Sequence, residues 1–255
     1  MDYLTTLFGL DNSTAIITGA SRGLGRAAAI ALNGAGANVV LIGRDAKKLD
    51  ETKTLLPDPS RASIIEADVT SDESRKKVIA ATLQDFGKID ILINNAGIIR
   101  RSPAVDYSVK DWDEVIETNL TSVFHWSQDI AKEMVKSGGG KIINIASVLS
   151  FSGGMNVVAY AAAKGGIAQL TKALANEWAK HHINVNAIAP GYFETDATSA
   201  LRENEERYKS VLSRIPAGRF GDPSELAGAF IFLSSHASDY MNGHILSVDG
   251  GFNSF

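Results

Sequence analysis

Residues 15–25 read Ala15-Ile16-Ile17-Thr18-Gly19-Ala20-Ser21-Arg22-Gly23-Leu24-Gly25, a short apolar run followed by glycines spaced G-x-x-x-G-x-G. The run has the length and content of a buried strand, and Gly23 to Ala35 carries a helical pattern. A strand feeding a helix through a glycine-rich turn has a definite physical use. Glycines permit the tight turn, let the backbone approach a pyrophosphate, and allow close packing of helix on strand. The helix N-terminus adds free amides and a partial positive charge. The spacing approximates the dinucleotide fingerprint G-x-G-x-x-G without meeting it. Gly19-Ala20-Ser21-Arg22-Gly23 also matches G-x-S-x-G, the nucleophile turn of α/β-hydrolases. That reading is weaker, because little sheet precedes Ser21. Nor does His125, His181, His182, His236 or His244 lie in an obvious acidic partner motif.

Outward from this turn, short apolar runs alternate with helical patterns. Strands are expected at 38–42, 62–66, 89–93, 141–146, 183–188 and 244–248. Helices are expected at 45–56, 71–86, 109–117, 120–136 and 157–181, with a further helix opening at Asp222-Pro223. Ser71 is an N-cap candidate, and Gly87 and Gly138 are stop signals. The alternation predicts one parallel sheet with helices on both faces. Continuous apolar strands fit a sheet covered on both sides. Residues 194–219 are polar and charged and fall after the sixth strand, which makes them a candidate substrate lid.

A chain of 255 residues suits one large α/β domain or two small ones. A net charge of −4 supplies no basic field for nucleic acid or anionic lipid. There is no cysteine, hence no disulfide or thiolate chemistry, which fits a reducing compartment. The first residues, MDYLTTLFGLDNS, lack the basic start of a secretory signal, and no apolar run approaches a membrane span. A cytoplasmic protein with no membrane and no nucleic-acid partner is expected.

The chemistry is expected at Ser147–Lys164, SVLSFSGGMNVVAYAAAK. Tyr160 and Lys164 stand four apart in an alanine-rich helical run, so phenol and ammonium share a face. A nearby ammonium favours the phenolate and prepares the tyrosine for general acid–base work. Ser147 closes an apolar strand, at the carboxyl edge where open α/β sheets bind ligands.

An acidic residue at the end of the second strand would hold the ribose of NAD. Gly43 and Arg44 stand there instead, and Arg22 lies in the glycine loop. Two guanidinium groups suit a 2′-phosphate, which favours NADP(H), with NAD(H) as the alternative cofactor. Arg100 and Arg101 follow the fourth strand at its carboxyl end. Tyr192, after Pro190-Gly191, is a candidate pocket wall. No metal site is expected, since the adjacent His181 and His182 point to different faces.

Taken in order, the glycine loop, Asn94-Asn95-Ala96-Gly97, Asn119, Ser147, Tyr160, Lys164 and Pro190-Gly191 resemble the short-chain dehydrogenase/reductase family over essentially the whole chain. The resemblance implies a single-domain Rossmann-like doubly wound fold over 1–255 with a seven-stranded parallel sheet, and a homotetramer. It implies a catalytic tetrad of Asn119, Ser147, Tyr160 and Lys164. It implies cofactor contacts from Gly19, Ser21, Arg22, Gly23, Leu24, Gly25, Arg44, Asp68, Val69, Asn95, Ala96, Gly97, Tyr160, Lys164, Pro190, Gly191 and Thr195, with Asn94 also lining the cofactor. Ser147, Tyr160, Arg101 and Tyr192 would meet the substrate. The stretches GIIRRS (97–102), KDWD (110–113), IASVLSFSGG (145–154), NEWAKHHINVNAIAPGY (176–192) and RIPAGR (214–219) are similar to the family's branch acting on sugar acids, the gluconate and keto-gluconate dehydrogenases. The expected reaction is hydride exchange between nicotinamide and a secondary alcohol or ketone of a small sugar acid, whose carboxylate would meet Arg101 in preference to Arg100. The alternatives are a 3-oxoacyl-[acyl-carrier-protein] reductase, which the acidic run at 203–206 disfavours, and a catalytically silent dinucleotide-binding protein.

Overall fold

Thr14–Thr18 forms β1, buried at every position, as a Thr-Ala-Ile-Ile-Thr run covered on both faces requires. The structure is a computed structural model that describes residues 2–254, so the terminal residues of the expected domain, Met1 and Phe255, lie outside it. The other strands are β2 (Asn38–Gly43), β3 (Ala62–Glu66), β4 (Ile91–Asn94), β5 (Gly140–Ile145), β6 (Ile183–Pro190) and β7 (Ile245–Val248). They make one seven-stranded sheet in the order β3-β2-β1-β4-β5-β6-β7, with every neighbour parallel. The order reverses between β1 and β4, which opens a crevice at their carboxyl ends.

Period-two alternation sorts the strand side chains into two cores. Ala15, Ile17, Val39 and Leu41 face α2 (Gly23–Gly34), α3 (Ala46–Thr54) and α10 (Ala227–Ser234), through Ala28, Leu32, Leu49 and Phe230. Ile16, Val40, Ile42 and Leu92 face α4 (Asp72–Phe86), α6 (Ser122–Ser137) and α7 (Val158–Trp178), through Val78, Trp126, Ile130 and Leu174. Ser71 Oγ accepts the N–H of Ser74 at 3.2 Å, and Gly87 ends α4 in the left-handed conformation at φ 79°, as the sequence predicts. Asp222 caps a 3₁₀ turn, Pro223–Leu226, that leads into α10.

Three local features differ from expectation. A short helix, α1 (Tyr3–Phe8), precedes β1 and buries no residue, so it has no apolar stripe to read. The predicted helices at 109–117 and 120–136 are one continuous path: α5 (Val109–Ile116) passes through a π-helical turn, Glu117–Thr121, into α6. The long helix predicted over 157–181 ends at Trp178, followed by a 3₁₀ turn, Ala179–His181, and His182 at φ 58°. Residues 194–219 hold α8 (Asp196–Arg202), which buries only Leu201, and α9 (Glu205–Leu212), which buries none.

Candidate active site

The glycine loop and the Asn-Asn-Ala-Gly run are stitched together at the crevice. Asn95 Nδ2 donates to the carbonyls of Thr18 at 2.9 Å and Gly19 at 3.1 Å. Thr18 Oγ1 accepts the N–H groups of Asn95 and Ala96 at 3.0 and 3.1 Å. Gly19 stands at φ 67°, and a Cβ there would lie 2.8 Å from Asn95 Nδ2 and 2.9 Å from Ala96 Cα. A Cβ on Gly25 would overlap the Gly19 carbonyl and the Asn95 amide. Leu24 turns inward, packed against the core between α2 and the sheet. Arg22 occupies the N-cap of α2 without a side-chain capping bond, and the N–H groups of Gly23, Leu24 and Gly25 have no acceptor among the described residues. Free amides at a twelve-residue helix N-terminus fit a pyrophosphate. Ser21 contributes its carbonyl, which accepts Arg26 Nη2 at 2.7 Å.

Asn94 does not line the crevice. It is 4% exposed, and its Nδ2 donates to Ser127 Oγ and Asn144 Oδ1, both at 2.9 Å. Alternation along β4 turns Asn94 under the sheet towards α6 and leaves Asn95 to the crevice.

At the ends of β2 and β3, Arg44 is exposed and its side chain makes no ion pair or hydrogen bond among the described residues. Asp68 accepts from Thr70 N at 2.9 Å and Thr70 Oγ1 at 2.8 Å. These bonds hold its carboxyl below the usual range, with a smaller contribution from the Arg44 charge. The Val69 carbonyl accepts the Trp126 indole N–H at 3.0 Å. Arg22 Nη1 lies 2.9 Å from Asp196 Oδ2, and the Thr195 methyl sits 3.4 Å from where a Gly23 Cβ would be, so the start of α8 overhangs the glycine loop. Pro190 ends β6. The Gly191 N–H donates to the Val248 carbonyl at 2.9 Å, and a Cβ on Gly191 would stand 2.7 Å from Asp249 Cα.

Ser147, Tyr160, Lys164 and Asn119 come together from β5, α7 and the π turn. Ser147 follows β5, and its Oγ accepts the N–H of Leu149 at 3.1 Å. Ser150, which the sequence reading did not single out, ties this loop to α7: its Oγ accepts the Ser147 N–H at 3.2 Å and donates to the Lys164 carbonyl at 2.7 Å. The signal was legible as Ser-x-x-Ser at a helical start. Lys164 is 4% exposed, its Nζ donates to the Ile145 carbonyl, and it lies 5.6 Å from the Tyr160 ring centroid. Burial lowers the lysine to a pKa of about 8. The expected depression of the tyrosine is absent here. Burial raises Tyr160, and the groups that pull it back are the Ser147 hydroxyl and then the Arg101 charge. The ammonium is turned to a backbone carbonyl and sits over the ring instead of at the phenol oxygen. Asn119 is fully buried in the π turn. Its Oδ1 accepts the Ile98 N–H and its Nδ2 donates to the Ile98 carbonyl, both at 2.8 Å. A Cβ on Gly97 would lie 3.0 Å from Asn119 Oδ1.

The two candidate substrate arginines part company. Arg100 is engaged with Glu114, at 2.8 and 3.2 Å. Arg101 Nη2 donates only to the Ala197 carbonyl, at 3.3 Å, and its charge reaches both Tyr160 and Tyr192. The Tyr192 ring packs against Phe220 and Phe252 with centroids 5.4 Å away in each case, and burial raises its pKa. The hydrolase reading fails on position. The histidine–carboxylate pair present, His236 with Asp239 at 3.0 Å, also binds Lys141 at the amino end of β5, whereas Ser21 follows the carboxyl end of β1. No group of three or more metal-ligating side chains converges among the described residues.

A family model described as Enoyl-(Acyl carrier protein) reductase matches residues 19–253. The 2-dehydro-3-deoxy-D-gluconate 5-dehydrogenase of Dickeya dadantii is 47% identical over 247 residues, 96% of this chain and 97% of that protein. The gluconate 5-dehydrogenase of Gluconobacter oxydans is 45% identical, covering 96% of each. A crystal structure of a gluconate 5-dehydrogenase from Burkholderia cenocepacia, in complex with NADP and tartrate, superposes with a TM-score of 0.94 at 40% identity, over 99% of this chain and 100% of that one. On that family match and those relatives, the chain belongs to the short-chain dehydrogenase/reductase family, the NAD(P)-dependent oxidoreductases acting on CH–OH donors.

Proposed function

We propose that the protein is an NADP(H)-dependent oxidoreductase that interconverts a secondary alcohol and a ketone on a sugar acid of the keto-gluconate type. The observation that carries the substrate class is Arg101. It is a guanidinium without a carboxylate partner among the described residues, and its charge is felt at Tyr160. A carboxylate on the substrate would meet it with a charge-assisted bond stronger than the carbonyl contact it makes here. The gluconate relatives, and the neighbour holding NADP and a hydroxy-diacid, support the same reading.

In this account the free amides of Gly23, Leu24 and Gly25 take the pyrophosphate, and Arg22 and Arg44 take the 2′-phosphate. Asp68 and Val69 border the adenine, Asn95, Ala96, Gly97, Pro190 and Gly191 form the floor, and Thr195 reaches the carboxamide. Bound nicotinamide supplies or accepts the hydride. Ser147 donates to the substrate oxygen and orients it. Tyr160 gives that oxygen its proton in reduction and takes it back in oxidation. Lys164 holds the nicotinamide ribose and keeps positive charge beside the tyrosine. Asn119 fixes the Ile98 backbone and lines a proton route to solvent. Residues 194–219 act as the lid of a single domain spanning 1–255, and Tyr192 forms a wall of the substrate pocket.

The proposal includes a homotetramer working in the cytoplasm. Val109 and Trp112 on α5 and Val158 on α7 are exposed apolar side chains on helices packed together, which an interface would bury. The NADP(H) pool that the reaction draws on is kept inside cells. The test is NADP⁺ reduction against 2-dehydro-3-deoxy-D-gluconate, and NADPH oxidation against 5-keto-D-gluconate and an oxoacyl thioester. Turnover of the keto acids carries the proposal; turnover of the thioester alone contradicts it.

A further inference from the structure

Little holds the first turn of α8. The apolar anchors of the lid lie beyond it, where Leu201 packs with Ile215, Phe220 and Phe252. Around Asp196 and Ala197 the external contacts are polar: Asp196 with Arg22 at 2.9 Å, and the Ala197 carbonyl with Arg101 at 3.3 Å. The turn is otherwise sustained by the Thr195–Thr198 capping box, by Thr198 Oγ1 donating to the Phe193 carbonyl at 2.6 Å and by Ser199 Oγ donating to the Asp196 carbonyl at 2.8 Å. Between this end of the lid and α2 lies a cavity of about 510 Å³, lined by Arg22, Ala27, Glu194, Thr195 and Pro223 among others. The lid therefore bridges a cavity on an ion pair.

The two side chains of that pair are 61% and 70% exposed, so it is weak and open to exchange. Arg22 is also the N-cap residue of α2, to which the proposed function gives the 2′-phosphate, so one guanidinium is assigned to two anions. A 2′-phosphate carries nearly two negative charges at neutral pH and accepts bidentate bonds, against one charge on Asp196. We propose that Asp196 is a specificity-determining residue. It competes with the 2′-phosphate of NADP(H) for Arg22, so that NADP(H), and not NAD(H), dissolves the Arg22–Asp196 pair and unlatches the first turn of α8. This rests on the NADP(H) reading above. It makes the substrate lid a reporter of which cofactor is bound. It also makes Asp196 a restraint on NADP(H) affinity: the carboxylate occupies Arg22 in the free protein and repels the phosphate as it arrives.

The test reads binding and local opening without turnover. Calorimetry measures NADP⁺ and NAD⁺ binding to the wild-type protein, Asp196→Asn and Arg22→Ala at low and high salt. Amide hydrogen exchange follows residues 196–202. Asp196→Asn should bind NADP⁺ about two- to fivefold tighter at low salt, the range of an exposed ion pair, with the gain fading at high salt and NAD⁺ unchanged. Thr195 meets the carboxamide of either cofactor, so in the wild type exchange over 196–202 should be faster with NADP⁺ bound than with NAD⁺ bound, and Asp196→Asn should exchange there equally with both. An unchanged or weakened NADP⁺ affinity in Asp196→Asn, or wild-type exchange over 196–202 no faster with NADP⁺ bound than with NAD⁺ bound, overturns the proposal. If Arg22→Ala removes a preference for NADP⁺ that Asp196→Asn leaves untouched, the cofactor reading stands and the competition is refuted. If the wild type does not distinguish NADP⁺ from NAD⁺, the cofactor reading falls and takes the proposal with it.

Discussion

Replacing Lys164 by Met exposes the energetic state of a buried ammonium. The side chain is 4% exposed, its Nζ donates to the Ile145 carbonyl, and burial holds its pKa at about 8 instead of the ordinary 10.5. The folded pKa lies below the unfolded one. Below pH 8 both states carry the proton, and the full cost of burying the charge is present. Between about 8 and 10.5 the unfolded chain binds more protons than the folded chain, so stability climbs with pH. Above that window both states are neutral and the cost is gone. At about 1.4 kcal/mol per pH unit, the whole rise is about 3 kcal/mol. Tyr160 opposes it, because its raised pKa makes stability fall above pH 10. The comparison is therefore made in a Tyr160→Phe background, with and without Lys164→Met, by urea unfolding from pH 7 to 10. The lysine-containing protein should gain about 2.5 kcal/mol on its partner across that range. A difference constant to about 0.5 kcal/mol, well inside that predicted gain, would show that Lys164 titrates as a solvated lysine and refute the reasoning.

Arg101→Ala should raise KM for a keto-acid substrate about 10- to 100-fold, the value of a charge-assisted contact, whereas Arg100→Ala, which breaks the pairs with Glu114 and Asp111, should move it little; steady-state kinetics on both variants decides. Arg44→Ala should weaken NADPH binding about tenfold or more with NADH unchanged, measured by fluorescence titration. Gly25→Ala should abolish cofactor binding and lower Tm, because the added methyl overlaps the Gly19 carbonyl and the Asn95 amide. A normal melting curve with intact NADPH binding would contradict that packing.

The parallel sheet was legible because its strands are continuous β-rich apolar runs that alternate with helical patterns, of which α4 is bounded by Ser71 and Gly87. Ser147, Tyr160 and Lys164 were legible because helical spacing and a strand end place side chains without knowledge of the tertiary fold. What escaped depends on contacts distant in sequence or on backbone hydrogen bonds. The π turn that carries Asn119 answers the Ile98 backbone, more than twenty residues upstream, and propensity does not encode it. Arg22 and Asp196 are 174 residues apart, so no local pattern joins them. The direction of the Tyr160 shift was misjudged because sequence spacing fixed the face of Lys164 and not the aim of its Nζ, which a strand carbonyl takes.

The central claim is that Tyr160 moves the proton in a cofactor-dependent reaction, and Tyr160→Phe tests it most directly. Turnover of a keto-sugar acid with NADPH and the NADPH dissociation constant are measured on the same preparation. The account predicts that kcat falls by about 10²- to 10⁴-fold while the dissociation constant stays within about twofold. Turnover within a few-fold of the wild type, or a parallel loss of cofactor binding, would contradict it.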